Sequence, residues 1–219
     1  MKKYKAIIMD FDMTIANTAG LIEECLYNYA LRFGYDMDRK ILRRGIGMSA
    51  GDIFRSAGVH DDKLADEMDD GYVIYSADIM CRETEFFPGV ARGMKELYER
   101  GVLLAVLSLK SGDQIWPPLR NHGLDGYVRQ VVGKDDVARG KPCPDGIYLL
   151  ADQMGIATDD ILYVGDSLTD QQTALAAGVD FGAICSGAFC PEDFSASKAI
   201  GIYSDFGEMS RELCQALDQ

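Results

Sequence analysis

Two pairs of aspartates, each directly after a short apolar run, are the residues in this sequence best placed to do chemistry. Asp10 and Asp12 form the first pair, and Asp166 and Asp170 form the second. In an extended segment, residues two apart point to the same side, so Asp10 and Asp12 can face one site. Two carboxylates there repel each other unless a cation or a proton intervenes. A hard divalent ion such as Mg2+ takes oxygen ligands and would relieve this repulsion, and Asp166 could complete its site.

A hydroxyl and an amine add to this acidic set. Ser108 ends the apolar run at 102–107, and Lys141 lies between a glycine and a proline. Together with the aspartates, these residues supply a nucleophile, a proton donor, a hydrogen bond to phosphate, a counter-charge and metal ligands. This combination is typical of phosphoryl transfer.

Short apolar runs of strand length precede most of these residues and must position them. The runs cover 4–9, 102–107, 128–132, 161–164 and 181–185. Such runs are expected when helices cover both faces of a parallel sheet, and segments with helical spacing lie between them. From residue 89 onward strand and helix alternate, which predicts an α/β fold with a doubly wound parallel sheet. Pro117 and Pro118 would interrupt the helix expected after the second run, which predicts a displaced helix start.

The stretch at 16–85 has a different pattern. Its apolar residues lie three and four apart, and it offers no convincing strand. It therefore predicts an all-helical subdomain inserted after the first strand, while 1–15 and 86–219 form the α/β core. A Pro-Gly pair at 88–89 marks the return to that core.

Four motifs occur in a fixed order along the chain. They are DFDMT at 10–14, VLLAVLS at 102–108, GKP at 140–142 and GDSLTD at 165–170. Together they resemble the motifs of the haloacid dehalogenase superfamily, and the resemblance covers essentially the whole chain. It implies a Rossmann-like core. The helical insertion resembles that superfamily's cap, in the position used by phosphoglycolate phosphatase-like and β-phosphoglucomutase-like members.

The resemblance also implies an activity, that of a Mg2+-dependent phosphatase of small phosphorylated metabolites, nearest to phosphoglycolate phosphatase. In that family pattern Asp10 attacks phosphorus and becomes an aspartyl phosphate. Asp12 protonates the leaving alkoxide and then activates the hydrolytic water. The Asp10 carboxylate, the Asp12 carbonyl and Asp166 would hold Mg2+, while Ser108 and Lys141 would bind the phosphoryl oxygens.

Some positions depart from the family pattern or stay ambiguous. Met13 replaces the usual glycine after the second aspartate, and Leu109 replaces a frequent asparagine. Neither change removes a charged group, but both could narrow or desolvate the site and alter substrate choice. Asp170 is either a metal ligand or an acid that supports the site or caps a helix without touching the metal.

Three basic residues are candidates for substrate binding. Arg43 and Arg44 precede Gly-Ile-Gly in a segment that resembles the substrate-specificity loop of phosphoglycolate phosphatases. Either arginine could meet an anionic leaving group. The alternative is a solvated basic turn. Lys110, two residues past Ser108, could guard the entrance of the site.

Composition excludes several other classes of function. Lysine and arginine total 22 against 35 aspartates and glutamates in 219 residues, a net charge of -13. This balance disfavours binding to nucleic acid or to an anionic membrane. No apolar run reaches the ~20 residues of a membrane helix, and we expect a cytoplasmic monomer or small homo-oligomer. The six cysteines are dispersed and predicted to be reduced, and a metal or redox role for the Cys185 and Cys190 pair has weak support.

Two other functions remain open. A phosphomutase of the β-phosphoglucomutase type would share the fold and the nucleophile but return the phosphoryl group to a sugar. Gly165 before Asp166 favours the phosphatases, because the mutases tend to carry an acid there. A catalytically silent phospho-ligand sensor is the third possibility, and the retention of Asp10, Asp12 and Lys141 argues against it.

Overall fold

The structure, a computed structural model, describes residues 2–187, 189, 191–194 and 199–219. Cys190, half of the cysteine pair noted above, lies outside these residues. The strands are β1 (Ala6–Met9), β2 (Ala16–Asn17), β3 (Glu85–Phe86), β4 (Leu103–Leu107), β5 (Val128–Val132), β6 (Ile161–Gly165), β7 (Asp180–Ile184) and β8 (Gly201–Tyr203). The helices are α1 (Ala19–Leu31), α2 (Arg39–Arg44), α3 (Ala50–Ser56), α4 (Asp62–Glu83), α5 (Val90–Glu99), α6 (Gly112–Asn121), α7 (Asp145–Met154), α8 (Leu168–Ala177) and α9 (Phe206–Leu217). None of the helices in the described ranges has the length and apolar character to cross a bilayer.

Six of the strands form one parallel sheet in the order β5-β4-β1-β6-β7-β8. The order reverses beside β1, because the chain moves to β4 and β5 on one side and to β6, β7 and β8 on the other. This arrangement confirms the predicted doubly wound α/β fold. The five apolar runs of the sequence are β1, β4, β5, β6 and β7, whereas β8 has three residues and is too short to give a periodic pattern.

Strand β1 is buried on both faces, which explains its unbroken apolar sequence. Ile7 packs on one face with Met94 of α5 and Phe206 of α9. Ile8 points to the other face and packs with Ile147 of α7. The alternation follows the two-residue period of a strand, so β1 anchors helices on both sides of the sheet.

Helices α1 to α4 have a hydrophobic cluster of their own, which includes Leu26, Leu42, Phe54 and Met68. These four helices form the helical insertion, and we call them the cap. The short antiparallel ribbon of β2 and β3 links the cap to the sheet. The ribbon lies at both predicted domain boundaries. We therefore propose that 16–85 form the cap domain and that 1–15 and 86–219 together form the α/β core.

Helix α6 differs from the sequence-based prediction. It begins at Gly112 and contains both Pro117 and Pro118, so the predicted displaced start was wrong. Ser111 caps the helix ahead of the prolines, and the buried Ile115 and Leu119 anchor it to the core. Each proline removes one backbone hydrogen bond, and this burial offsets the loss.

Candidate active site

The carboxyl ends of three neighbouring strands bring the predicted site residues together. Asp10 follows the central strand β1, Ser108 follows β4, and Asp166 follows β6. These residues, with Asp12 and Lys141, line one cavity of about 250 Å³ between the sheet edge and the cap. Open α/β sheets bind ligands at this edge, where the strand order reverses.

Three buried carboxylates lie close together at the site, and two of them, Asp10 and Asp166, line the cavity. Oxygens of Asp10, Asp166 and Asp170 lie within 4.8 Å of one another. Burial raises the pKa of Asp10 to about 7, Lys141 opposes that rise, and the charge of Asp170 adds to it. Burial and the nearby Asp10 likewise hold the pKa of Asp166 well above its usual range. The cluster therefore has an excess of negative charge that a bound cation would neutralise.

Lys141 is the buried counter-charge of this cluster. Its Nζ lies 2.7 Å from Asp10 Oδ1 and 2.7 Å from Asp170 Oδ1, and its side chain is 5% exposed. Burial alone would lower the pKa of Lys141, but the two carboxylates outweigh it and hold that pKa above its usual range. Lys141 is therefore a permanent cation that fixes one oxygen of Asp10.

Asp170 is fully buried and has protein partners on both oxygens. Its Oδ1 accepts from Lys141 and from the Tyr163 hydroxyl at 2.7 Å, and its Oδ2 accepts from the backbone N and Oγ of Ser167. These contacts with Ser167 form the N-terminal capping box of α8. A Cβ on Gly165 would lie 2.4 Å from Asp170 Cγ, so a glycine is required where this carboxylate crosses the strand end.

Asp12 is held by a different pair of donors. Its Oδ1 accepts from Thr18 Oγ1 at 2.7 Å and from Lys110 Nζ at 2.5 Å. The backbone N of Lys110 also contacts Ser108 Oγ at 3.2 Å, and Ser108 is buried. Lys110, predicted to guard the entrance, thus lines the cavity and neutralises the charge of Asp12.

Met13 directly follows Asp10 and Asp12 and lies in the turn after them. Its φ of 62° is the only positive value among non-glycine residues in the described ranges. A left-handed conformation costs a side-chain-bearing residue roughly 1–2 kcal/mol. Thr14 donates to Asp166 Oδ1 at 3.0 Å, and Ser186 donates to the Met13 carbonyl. The strained conformation explains why glycine is usual at position 13, and contacts on both sides hold it here.

The cap arginines lie elsewhere. Arg43 is exposed, and its Nη1 lies 3.2 Å from Glu23 Oε2. Arg44 is exposed as well, and neither arginine lines the cavity. Glu23 of α1 also pairs with Arg39 at 3.3 Å, so one carboxylate of α1 holds two basic residues of α2. The segment just after α2, at 46–50, contributes to the cavity instead.

Sequence reasoning missed four hydroxyl donors: Thr14, Thr18, Tyr163 and Ser167. Tyr163 had a recognisable pattern, because it places a hydroxyl inside an otherwise apolar, fully buried strand. Such a group must have a partner. Thr14 lay within the first motif without an assigned role.

Comparison with known proteins identifies the family. The model described as haloacid dehalogenase-like hydrolase matches residues 7–184. The chain therefore belongs to the haloacid dehalogenase-like hydrolase family, which confirms the prediction from the four motifs. A phosphoglycolate phosphatase of Rhodospirillum rubrum is 28% identical over 94% of this chain and 89% of its own length. The phosphoglycolate phosphatase of Escherichia coli K12 is 33% identical over 62% of this chain and 54% of its own.

Solved structures agree in fold. A haloacid dehalogenase-like hydrolase from Bacteroides fragilis superposes with a TM-score of 0.88 at 30% identity, covering 94% of this chain and 100% of that one. A phosphoglycolate phosphatase structure from Lactobacillus plantarum gives 0.86 at 21% identity, covering 97% and 100%. The second likeness concerns the fold alone. The chain is thus a hydrolase of this family with a matching α/β architecture.

Proposed function

We propose that the protein is a Mg2+-dependent phosphatase that hydrolyses small phosphorylated metabolites through an aspartyl phosphate on Asp10. The proposal rests on the separate contacts that hold Lys141, Asp10, Asp12 and Asp166 around one cavity. Lys141 holds one oxygen of Asp10, Asp12 lies beside it on separate donors, and Asp166 adds a carboxylate with raised pKa. The phosphatases among the relatives support the same reaction class.

The donor set fits Mg2+. The residues that would hold it are Asp10 and Asp166 through carboxylate oxygens and Asp12 through its backbone carbonyl. These are hard oxygen donors, and the acidic cluster exceeds the charge of Lys141. When bound, Mg2+ would offset repulsion between the carboxylates and the phosphoryl group. Asp170 has protein donors on both oxygens, so we assign it to positioning Lys141 rather than to the metal.

The chemistry follows from the two carboxylates of the first motif. Lys141 contacts Asp10 Oδ1 and so orients the carboxylate, one oxygen of which attacks phosphorus. The bond from Asp10 to phosphorus forms as the ester P–O bond breaks, and Asp12, which enters this step as the protonated acid, gives its proton to the departing alkoxide. Asp12 then takes a proton from water as the water oxygen bonds to phosphorus. The bond from phosphorus to Asp10 breaks, which releases phosphate and restores the carboxylate.

Ser108 and Lys141 have the positions needed to hold the phosphoryl oxygens. Both line the cavity, and Ser108 is buried at the end of β4. A hydroxyl donor and a fixed ammonium group in a buried site stabilise negative charge more strongly than they would in water. Asp170 and Tyr163 keep that ammonium group in place.

Phosphate release from p-nitrophenyl phosphate and a panel of phosphorylated metabolites, with Mg2+ and with EDTA, tests the proposal. We expect turnover with Mg2+, loss of turnover in EDTA and recovery when Mg2+ is restored. Undiminished turnover in EDTA contradicts the metal requirement. Conversion of a sugar phosphate to its isomer without net phosphate release contradicts the phosphatase assignment.

A further inference from the structure

The cap side of the cavity is mainly apolar. Ile22 and Leu26 of α1, Ile46 and Met48 of the loop before α3, and Ile53 of α3 all line it. Among the described residues that line the cavity, the cap contributes no arginine, lysine or histidine. A leaving group directed towards the cap therefore meets hydrocarbon, which binds apolar groups and leaves a carboxylate unpaired.

Among the described cap residues that line the cavity, Asp69 of α4 is the one with a carboxyl group. Its Oδ1 accepts from the backbone N of Gly51 at 3.1 Å, which fixes the carboxylate against the start of α3. A negative charge on this wall repels an anionic leaving group. The cap wall is thus both apolar and slightly negative.

Among the described residues that line the cavity, the core contributes three lysines, and two of them are already paired with acids of the site. Lys141 is paired with Asp10 and Asp170, and Lys110 is paired with Asp12. Lys134 is the third and is exposed. The positive charge on the core side is needed to offset the catalytic acids and the incoming phosphoryl group, which itself carries about two negative charges.

Polar groups on the cap wall are neutral apart from Asp69. Tyr72 and Ser76 of α4 and Ser49 at the N-terminus of α3 line the cavity. Burial raises the pKa of Tyr72, so its phenol stays protonated and can donate a hydrogen bond. These groups suit a hydroxyl or carbonyl oxygen of an uncharged molecule.

We infer that the substrate is the phosphate monoester of a small, uncharged and mainly apolar alcohol, rather than of a hydroxy acid. The inference rests on the proposed function and narrows it. The cavity of about 250 Å³ must hold both the phosphoryl group and the alcohol, and it lies just below the usual range of ligand pockets, roughly 300–1,000 Å³, which favours a small alcohol.

A matched pair of substrates tests the inference on the Mg2+-loaded protein. 2-Phosphoglycolate and 2-phosphoglycolamide have the same number of heavy atoms but differ in charge, and n-butyl phosphate supplies an apolar leaving group. We expect kcat/KM for the amide and for n-butyl phosphate to exceed that for phosphoglycolate by at least about tenfold. Equal or better use of phosphoglycolate overturns the inference while leaving phosphatase activity intact. Absence of phosphate release from every ester, p-nitrophenyl phosphate included, overturns the proposed function as well.

Variants of the cap wall locate the selection. Asp69→Asn should raise kcat/KM for phosphoglycolate relative to the amide by roughly three- to tenfold, because one repulsive charge is lost. Asp70→Asn is the matched control, since Asp70 is the exposed next residue of α4 and does not line the cavity. An unchanged ratio in Asp69→Asn overturns the role of the wall. A preference for phosphoglycolate that disappears in Lys134→Gln also overturns it, because the core side would then select an anion.

Discussion

Replacement of Asp170 by asparagine tests whether this buried carboxylate holds Lys141 in place. Asparagine has nearly the same size but has lost the negative charge and one acceptor oxygen. If its oxygen faces Lys141 and Tyr163, its NH2 group faces the backbone N–H of Ser167. If it is flipped, the NH2 group faces the Lys141 and Tyr163 donors. Either orientation sets donors against each other in a fully buried position.

The size of the effect follows from burial. Removal of one charge from a buried pair usually costs about 3–5 kcal/mol. Lys141 keeps its contact with Asp10, so we expect the lower end, about 3 kcal/mol in the free energy of unfolding. Urea slopes for small proteins reach about 3 kcal/mol per molar, so the midpoint should fall by about 1 M. In the folded variant, a displaced Lys141 should lower kcat at least about tenfold.

Equilibrium urea unfolding and steady-state phosphate release measure the two effects. Asp78→Asn provides a matched control, because Asp78 pairs with Arg82 on the exposed face of α4. That variant should unfold and turn over like the parent. If Asp170→Asn has the same urea midpoint and kcat as the parent, Asp170 does not position Lys141 and the account of the buried network is wrong.

Three further predictions concern the first motif. Asp12→Asn should slow alkyl phosphates by roughly 100- to 10,000-fold but slow p-nitrophenyl phosphate and acetyl phosphate much less, because those leaving groups need little protonation; equal losses in kcat refute an acid role. Met13→Gly should be more stable than Met13→Ala by about 1–2 kcal/mol in urea unfolding, since only glycine adopts the φ of 62° without strain, and the reverse order refutes strain at this position. Burial raises the pKa of Asp10 from its unfolded value near 4 to about 7, so between those pH values the native protein binds a proton that the unfolded chain has lost. The metal-free protein should therefore lose stability as pH rises through that window. Asp10→Asn should flatten the dependence on pH of urea midpoints measured in EDTA. An Asp10→Asn slope equal to that of the parent would assign the pH dependence to other groups.

The central part of the fold and site could be predicted because local patterns determine it. The five apolar runs and the motif residues after three of them identify a parallel sheet and the edge where Asp10, Ser108 and Asp166 meet. Parallel strands buried on both faces have unbroken apolar sequences, and their loops converge at one end. These features depend on neighbours in sequence.

Features that depend on distant partners could not be predicted in the same way. Arg43 could be placed in the cap loop, but its pairing with Glu23 of α1 depends on how the cap helices pack. The contact between Lys110 and Asp12 joins residues 98 positions apart. The dual role of Asp170, as a helix cap and as a partner of Lys141, likewise depends on how the loop carrying Lys141 packs beside the end of β6.

Detection of a covalent phosphoryl group tests whether Asp10 is the nucleophile. The Asp12→Asn variant, which should hydrolyse the aspartyl phosphate slowly, would be mixed with p-nitrophenyl phosphate and Mg2+, quenched in acid during turnover, digested and analysed by mass spectrometry. We expect a phosphoryl group on the peptide that contains Asp10, removed by hydroxylamine and absent from the Asp10→Asn variant. Turnover without any labelled peptide, or a label on another residue, would contradict this expectation.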